Sequence, residues 1–216
     1  CNEANCSIIG GETAFLPGVY SNGDFDLVGF IVGTVRKDEL LTPKETIREG
    51  DVLLGLPSSG MHTNGASLIR QAFNIDENPD VLNERPEGLH GTLGEALLVP
   101  HRSYLDAIMP VMSDIRGMSH ITGGGFQENL QRVLPDGLAV RLDRSSWEVP
   151  ALFNVIQAAG RVDEAEMFRV FNMGVGMIFI CAPERAPSVL AATDGAWKLG
   201  SVVSQSKTSG NSVVIE

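Results

Sequence analysis

The chain has 216 residues, of which 43% are hydrophobic and 20% charged. This composition can bury a core, which excludes a disordered chain and fits one large domain, or one domain with a piece of another. The formal net charge of −11 argues against a surface for nucleic acid or an anionic membrane. No apolar run reaches the roughly 18 residues that a membrane span needs.

The cysteines are odd in number and show no CxxC spacing: Cys1, Cys6 and Cys181. This set favours a reducing compartment over a disulfide framework or a zinc site, so we expect a cytoplasmic protein. The first residues lack an initiator methionine and resemble the end of a helix. We therefore expect the chain to begin inside a larger protein.

The first forty residues predict extended structure. Residues 7–10 are expected to form a strand, and residues 26–35 a long strand. Apolar side chains occupy both faces of the second segment, which predicts burial on both sides. The polar connector 37–50 is the best domain boundary, so we predict one unit at 1–41 and a second domain at 42–216.

A strand at 51–56 runs into the loop SSGMHTNG (58–65), and a helix follows. Ser58, Ser59, Gly60 and Asn64 offer short side chains or bare backbone that suit a phosphate monoester. His62 lies inside the loop. The segment lacks the Lys-Ser/Thr ending of a P-loop. The alternative is an ordinary capped connection between strand and helix.

A second loop of the same design is HITGGG (120–125), followed by an apolar helical face at 126, 130, 133 and 134. Gly123, Gly124 and Gly125 leave N–H groups unshielded at a helix start, where a phosphate or developing oxyanion can approach. His120 could contact the same ligand. The alternative is that the glycines serve unusual dihedral angles and the histidine is merely buried.

The remaining pattern predicts helices at 93–98, 102–111, 150–159 and 184–192, and strands at 138–142, 177–181 and 197–203. Asp163 and Glu166 form a capping-box pattern for a short helix. Residues 204–210 are expected to be loose. Helices and strands interleave irregularly, which predicts an α+β fold with helices packed against a mixed sheet.

Four segments in this order resemble aminoimidazole ribonucleotide (AIR) synthetase, the phosphoribosylformylglycinamidine cyclo-ligase of purine biosynthesis. They are IGGETA (9–14) with PG (17–18), SSGMHTNG (58–65), HITGGG (120–125) with ENL (128–130), and FNMGVGM (171–177), supported by DRSSW (143–147). The resemblance covers essentially the whole chain. One departure lies at Phe15-Leu16, where the family usually has an acidic residue and methionine.

The resemblance implies ATP-dependent closure of formylglycinamidine ribonucleotide to 5-aminoimidazole ribonucleotide, with release of ADP and phosphate. It implies ATP and Mg²⁺ as cofactors, and a homodimer for the full-length protein. It also implies an upstream stretch with Asp-rich motifs that bind Mg²⁺, so we expect this fragment alone to be inactive. The expected fold is the C-terminal domain of the family plus a remnant of its N-terminal α/β domain.

Three groups of candidate site residues follow. His62 and His120 are predicted to be catalytic, as hydrogen-bond donors or a proton shuttle. The predicted substrate and phosphate contacts are Ser58, Ser59, Gly60, Asn64, Gly123, Gly124, Gly125 and Asn172. Asn172 could instead close its own turn. Glu12 is the candidate on the nucleotide and metal side. His90 and His101 are assigned no role.

Two other interpretations stay open. One is a relative with the same architecture that uses ATP differently, such as selenophosphate synthetase, thiamine-monophosphate kinase or formylglycinamidine ribonucleotide amidotransferase. The other is a non-catalytic module that binds a phosphorylated metabolite.

Overall fold

The computed structural model describes residues 1–21 and 23–216. The chain divides into two compact units, Cys1–Leu40 and Leu41–Glu216. In the first unit the one regular element among the described residues is a 3₁₀ turn, Lys37–Glu39. None of the helices in residues 1–21 and 23–216 has both the length and the hydrophobicity of a membrane span.

The second unit contains one six-stranded sheet and eight short helices. The strands are β1 (Val52–Pro57), β2 (Ile115–His120), β3 (Leu138–Leu142), β4 (Val175–Cys181), β5 (Trp197–Ser204) and β6 (Val213–Ile215). The helices are α1 (Pro43–Thr46), α2 (Ala66–Ala72), α3 (Leu93–Leu97), α4 (Leu105–Ile108), α5 (Gly125–Val133), α6 (Ala151–Gly160), α7 (Glu164–Val170) and α8 (Ala186–Ala192).

The sheet is mixed, with strand order β2-β4-β1-β5-β3-β6. Every neighbouring pair is antiparallel except β3 and β6. Both faces of the sheet are covered. Along β4, Val175, Ile178 and Ile180 join the larger core, and Met177, Phe179 and Cys181 join the core on the opposite face. The predicted fold class, helices against a mixed sheet, is confirmed.

The two strand predictions in the first unit are wrong. Residues 7–10 and 26–35 carry no strand, and their apolar side chains are exposed, with Leu27 at 95% and Phe30 at 92%. Alternation of apolar residues describes which face a strand could bury. A strand also needs a neighbour for its backbone N–H and C=O groups, and within the described residues none pairs with these segments.

Three local predictions in the second unit need correction. The helix predicted at 102–111 is shorter: α4 covers Leu105–Ile108 and a 3₁₀ turn follows at Met109–Val111, while the Arg102 N–H is donated to Ser59 Oγ at 3.0 Å. Asp163 makes no capping hydrogen bond, and Glu166 instead accepts one from Arg169 Nε at 2.6 Å. Within the segment 204–210, which was expected to be loose, Gln205–Thr208 form a 3₁₀ helix in which the buried Thr208 donates its hydroxyl to Gln205 O at 2.9 Å.

Candidate functional site

Sheet topology brings the two predicted loops to the same edge. Strands β1 and β2 both run antiparallel to β4, so they run parallel to each other and end on the same side. His120 is the last residue of β2, and His62 lies in the loop directly after β1. An added Cβ at Gly123 would lie 3.2 Å from Asn64 Oδ1, so the two loops face one another.

A third histidine joins them. The ring of His101 stacks on that of His62, with centroids 3.8 Å apart and planes 13° from parallel. The Nε2 atoms of His101 and His120 are 3.2 Å apart, and the His62 and His120 ring centroids are 6.1 Å apart. We call His62, His101 and His120 the histidine trio.

His101 was given no role from sequence, and that assignment missed the contact. The Ser59 hydroxyl donates to Pro100 O at 2.8 Å and accepts the Arg102 N–H, so it fixes the chain on both sides of His101. These contacts join positions more than forty residues apart. Sequence periodicity carries no signal for them.

His62 is held as a neutral hydrogen-bond donor. It is 7% exposed, and burial next to the other two imidazoles lowers its pKa to about 4. Its Nε2 accepts the Ser59 N–H at 3.2 Å, so the neutral ring carries its proton on Nδ1. That Nδ1 is buried and has no hydrogen-bond partner in the described chain. This geometry favours a donor over the proton shuttle that the sequence left open.

The other two imidazoles are also biased toward the neutral form. Burial lowers the pKa of His101, and burial together with the nearby His101 lowers the pKa of His120. The ring centroid of Tyr104 lies 6.2 Å from that of His62 and 6.0 Å from that of His120, and its hydroxyl donates to Pro57 O at 2.9 Å. Burial raises the pKa of Tyr104 to about 12, so its hydroxyl keeps its proton. Gly176 leaves room for this tyrosine, because a Cβ there would collide with the hydroxyl.

The loop at residues 120–125, which we call the glycine loop, has a backbone conformation that requires glycine. Gly124 and Gly125 adopt φ angles of +89° and +58°, in the left-handed region. A Cβ on Gly125 would also collide with the Phe168 carbonyl. Asn129, which is buried, donates to Gly125 O at 2.7 Å and accepts from Thr122 Oγ1 at 3.1 Å. The first turn of α5 is therefore fixed before any ligand arrives.

Several predicted contact residues have internal partners. Asn172 donates from Nδ2 to Gly60 O at 2.9 Å and accepts the Gly174 N–H at 2.9 Å. This supports the turn-closing alternative, and a substrate contact by Asn172 stays a prediction. The Ser59 hydroxyl is used between Pro100 and Arg102, as described above. The Ser58 hydroxyl is buried and has no partner among the described residues.

Glu12 belongs to the first unit and is exposed there. Its role on the nucleotide side stays a prediction.

A separate groove of the second unit lies elsewhere. It has a volume of about 680 Å³ and includes Lys44, Arg132, Asp136 and Gln205 in its walls. No histidine lines it, and none of the titratable groups with a shifted pKa does so. We place the functional site at the histidine trio, where buried titratable groups and two glycine-containing loops converge.

Comparison with known proteins agrees with the resemblance. The family model "AIR synthase related protein, C-terminal domain" matches residues 48–211. Phosphoribosylformylglycinamidine cyclo-ligase of Desulfitobacterium hafniense is 46% identical over 213 residues, which cover 96% of this chain and 61% of that protein. The enzymes of that name from Thermoanaerobacter pseudethanolicus and Sorangium cellulosum are 43% and 48% identical, over 100% and 94% of this chain. The chain thus spans 60–64% of the length of these relatives.

Solved structures share the fold at low identity. Hydrogenase maturation protein HypE in complex with ATP matches with a TM-score of 0.54 and 18% identity, over 85% of this chain and 52% of that one. Thiamine-monophosphate kinase from Stenotrophomonas maltophilia K279a matches with a TM-score of 0.52 and 12% identity, over 84% and 54%. At such identities the likeness concerns the fold alone.

Proposed function

We propose that this chain, which belongs to the AIR synthase related protein family, is part of a phosphoribosylformylglycinamidine cyclo-ligase. The observation that carries the proposal is its 43–48% identity to enzymes of that name over nearly its whole length. The reaction would close formylglycinamidine ribonucleotide to 5-aminoimidazole ribonucleotide with consumption of ATP. The family also suggests a homodimer and a cytoplasmic location, and both stay predictions.

The reaction supplies a role for the histidine trio. ATP transfers a phosphoryl group to the formyl oxygen and leaves as ADP. An amidine nitrogen then attacks the formyl carbon and displaces phosphate. The negative charge on the formyl and phosphate oxygens changes during both steps, and a fixed neutral hydrogen-bond donor stabilises such charge. We assign this role to the Nδ1–H of His62, which is buried and has no partner in the described chain. His120, at the end of β2, would contact the same substrate from the other side.

The glycine loop would hold a phosphate group of the substrate. Helix α5 begins at Gly125 and presents the positive end of its dipole next to Asn64 and the trio. This matters in a protein with a formal charge of −11, because the overall field repels phosphate and local N–H groups must attract it. Asn172 and Ser59 would act by fixing the facing loop.

Mg²⁺ enters this proposal only through the family. Among residues 1–21 and 23–216, the one group of three clustered metal-ligating side chains is the histidine trio. Imidazole is a poor ligand for Mg²⁺, which prefers oxygen. The chain Cys1–Glu216 alone is therefore expected to show no ATP-dependent cyclisation.

The test is an assay of the full-length protein and of the chain Cys1–Glu216 with formylglycinamidine ribonucleotide and ATP, following the aminoimidazole product and ADP. Thiamine monophosphate serves as the alternative substrate. We expect turnover of the ribonucleotide by the full-length protein only. Turnover of thiamine monophosphate, or of neither compound by a folded full-length protein, would refute the proposal.

Variants then test the histidines. His62→Ala or His120→Ala in the full-length protein should lower kcat/KM about a hundredfold, the usual effect of losing one oxyanion donor. His90→Ala is the matched control, because His90 is exposed and outside the trio. If a histidine only supports the structure of its loop, its replacement should instead lower the thermal midpoint of unfolding. Near-normal kinetics in a folded variant would remove that histidine from the mechanism.

A further inference from the structure

Two observations at the histidine trio point to a site for a metal ion. One ring nitrogen from each of His62, His101 and His120 lies within 4.8 Å of the others. In addition, His62 is only 7% exposed, and its buried Nδ1 has no hydrogen-bond partner in the part of the chain that the structure describes. A buried ring nitrogen without a partner, in an imidazole that lies beside two more imidazoles, is typical of a metal ligand.

The spacing of the ring nitrogens fits one ion. The Nε2 atoms of His101 and His120 are 3.2 Å apart. In a tetrahedral zinc site the Zn–N bonds are about 2.0–2.1 Å, which places two ligand nitrogens about 3.3–3.4 Å apart. The pair already has nearly this separation. Imidazole suits Zn²⁺ and its first-row neighbours, so the site is chemically distinct from a Mg²⁺ site.

We propose that the histidine trio binds one divalent first-row cation of the Zn²⁺ type, with a fourth position open to water or to a ligand. Three histidines and an open position form a known kind of zinc coordination. The inference stands independently of the proposed function, because it concerns binding of the metal itself.

Binding requires two small rearrangements. The lone pairs of an imidazole lie in the ring plane, so His62 and His101, stacked at 3.8 Å, cannot both point at one ion. His101 is exposed and is therefore the ring that turns. A lone pair at His62 Nδ1 becomes available only if the ring proton moves to Nε2, which must then release the Ser59 N–H, whose 3.2 Å bond is at the long end of the normal range. The ion should thus unstack His101 from His62.

The experiment uses the chain Cys1–Glu216 with Cys1→Ser and Cys6→Ser, which removes the two less buried thiols as competing ligands. Zn²⁺ is titrated by calorimetry and Co²⁺ by its visible absorption. We expect one ion per chain. His62→Ala, His101→Ala and His120→Ala should each weaken the affinity by about tenfold or more, since even losing a supporting contact costs that much. His90→Ala is the matched control and should bind normally.

Two results would overturn the proposal. One is the absence of saturable binding. The other is equal affinity in the His101→Ala and His90→Ala variants. Because His101 is exposed, its variant keeps the fold and decides the question even if a buried variant unfolds. NMR of the histidine rings tests the geometry, because Zn²⁺ should remove the ring-current shifts between His62 and His101. Unchanged shifts at saturation would contradict the site.

Discussion

Asn172 offers the sharpest test of how the site is held together. Its side chain is 3% exposed and joins two loops through hydrogen bonds of 2.9 Å, one to the Gly60 carbonyl and one from the Gly174 N–H. Gly60 belongs to the loop that carries His62. Replacing Asn172 by alanine should therefore destabilise the second unit and loosen that loop.

The magnitude follows from the environment of each partner. The Gly174 N–H is buried and would lose its acceptor, which costs about 1–3 kcal/mol. The Gly60 carbonyl is only half-buried, so water can replace the amide, and its loss costs about 0.5–1.5 kcal/mol. We expect Asn172→Ala to lower the free energy of unfolding by about 3 kcal/mol. For a chain of this size that corresponds to a fall in Tm of roughly 6–12 °C.

The assay is urea unfolding followed by circular dichroism and tryptophan fluorescence. Trp147 is a local probe, because its indole N–H donates to Met173 O at 3.0 Å, next to Asn172. Asn172→Asp separates the two bonds, since a carboxylate still accepts from Gly174 but cannot donate to Gly60. The exposed Asn83→Ala is the control. A loss below about 1 kcal/mol for Asn172→Ala, with an unchanged urea slope, would refute the reasoning.

Two further predictions concern glycine and cysteine. Gly125→Ala places a Cβ against the Phe168 carbonyl at φ +58°, whereas Gly137→Ala, at φ +79°, meets no atom within 4 Å. Both changes cost left-handed strain of about 1–2 kcal/mol, so urea unfolding should show an additional loss in Gly125→Ala only, and equal losses would argue against the clash. Burial raises the pKa of Cys181 to about 11, so a thiol reagent at neutral pH should label the other two cysteines in the native chain and Cys181 only after unfolding. Rapid native labelling of Cys181 would show that its strand opens.

The hydrophobic pattern of the sequence predicted strands well where it matches the burial of the segment in the sheet. Strand β3 was predicted at 138–142 and occurs at Leu138–Leu142. Strand β4 was predicted at 177–181 and begins two residues earlier, at Val175. β4 is an apolar run that is buried throughout, and β3 buries Ala139, Val140 and Leu142. Strand β6 was not predicted, because it has three residues and exists only through parallel pairing with β3.

The segment 26–35 shows the limit of this reasoning. Its alternating apolar residues are typical of a buried strand, yet they are exposed in the structure. An apolar composition allows a segment to be buried. Its burial in a sheet also requires a neighbouring strand that pairs with it. The hydrophobic pattern of a segment therefore predicts a strand reliably only where a second strand in the same unit pairs with it.

The candidate site was predicted in part for the same reason. Histidines inside glycine-containing loops after strands can be recognised locally, so His62 and His120 were identified. The contact of His101 depends on Ser59, which holds its flanking residues from 41 and 43 positions away. Only the folded chain reveals that contact.

The position of these loops explains why one sheet edge can serve both roles proposed for it. Antiparallel pairing of β1 and β2 with the fully buried β4 fixes the ends of both strands and so the position of His120, and Asn172 holds the loop that carries His62. Burial then keeps His62 neutral, with its pKa near 4. Both proposals use the Nδ1 of His62, which can donate its proton to a substrate oxygen or, after the proton moves to Nε2, offer a lone pair to a cation, so the two uses compete. If both proposals hold, Zn²⁺ should inhibit the full-length enzyme in competition with its substrate, and His101→Ala should relieve that inhibition.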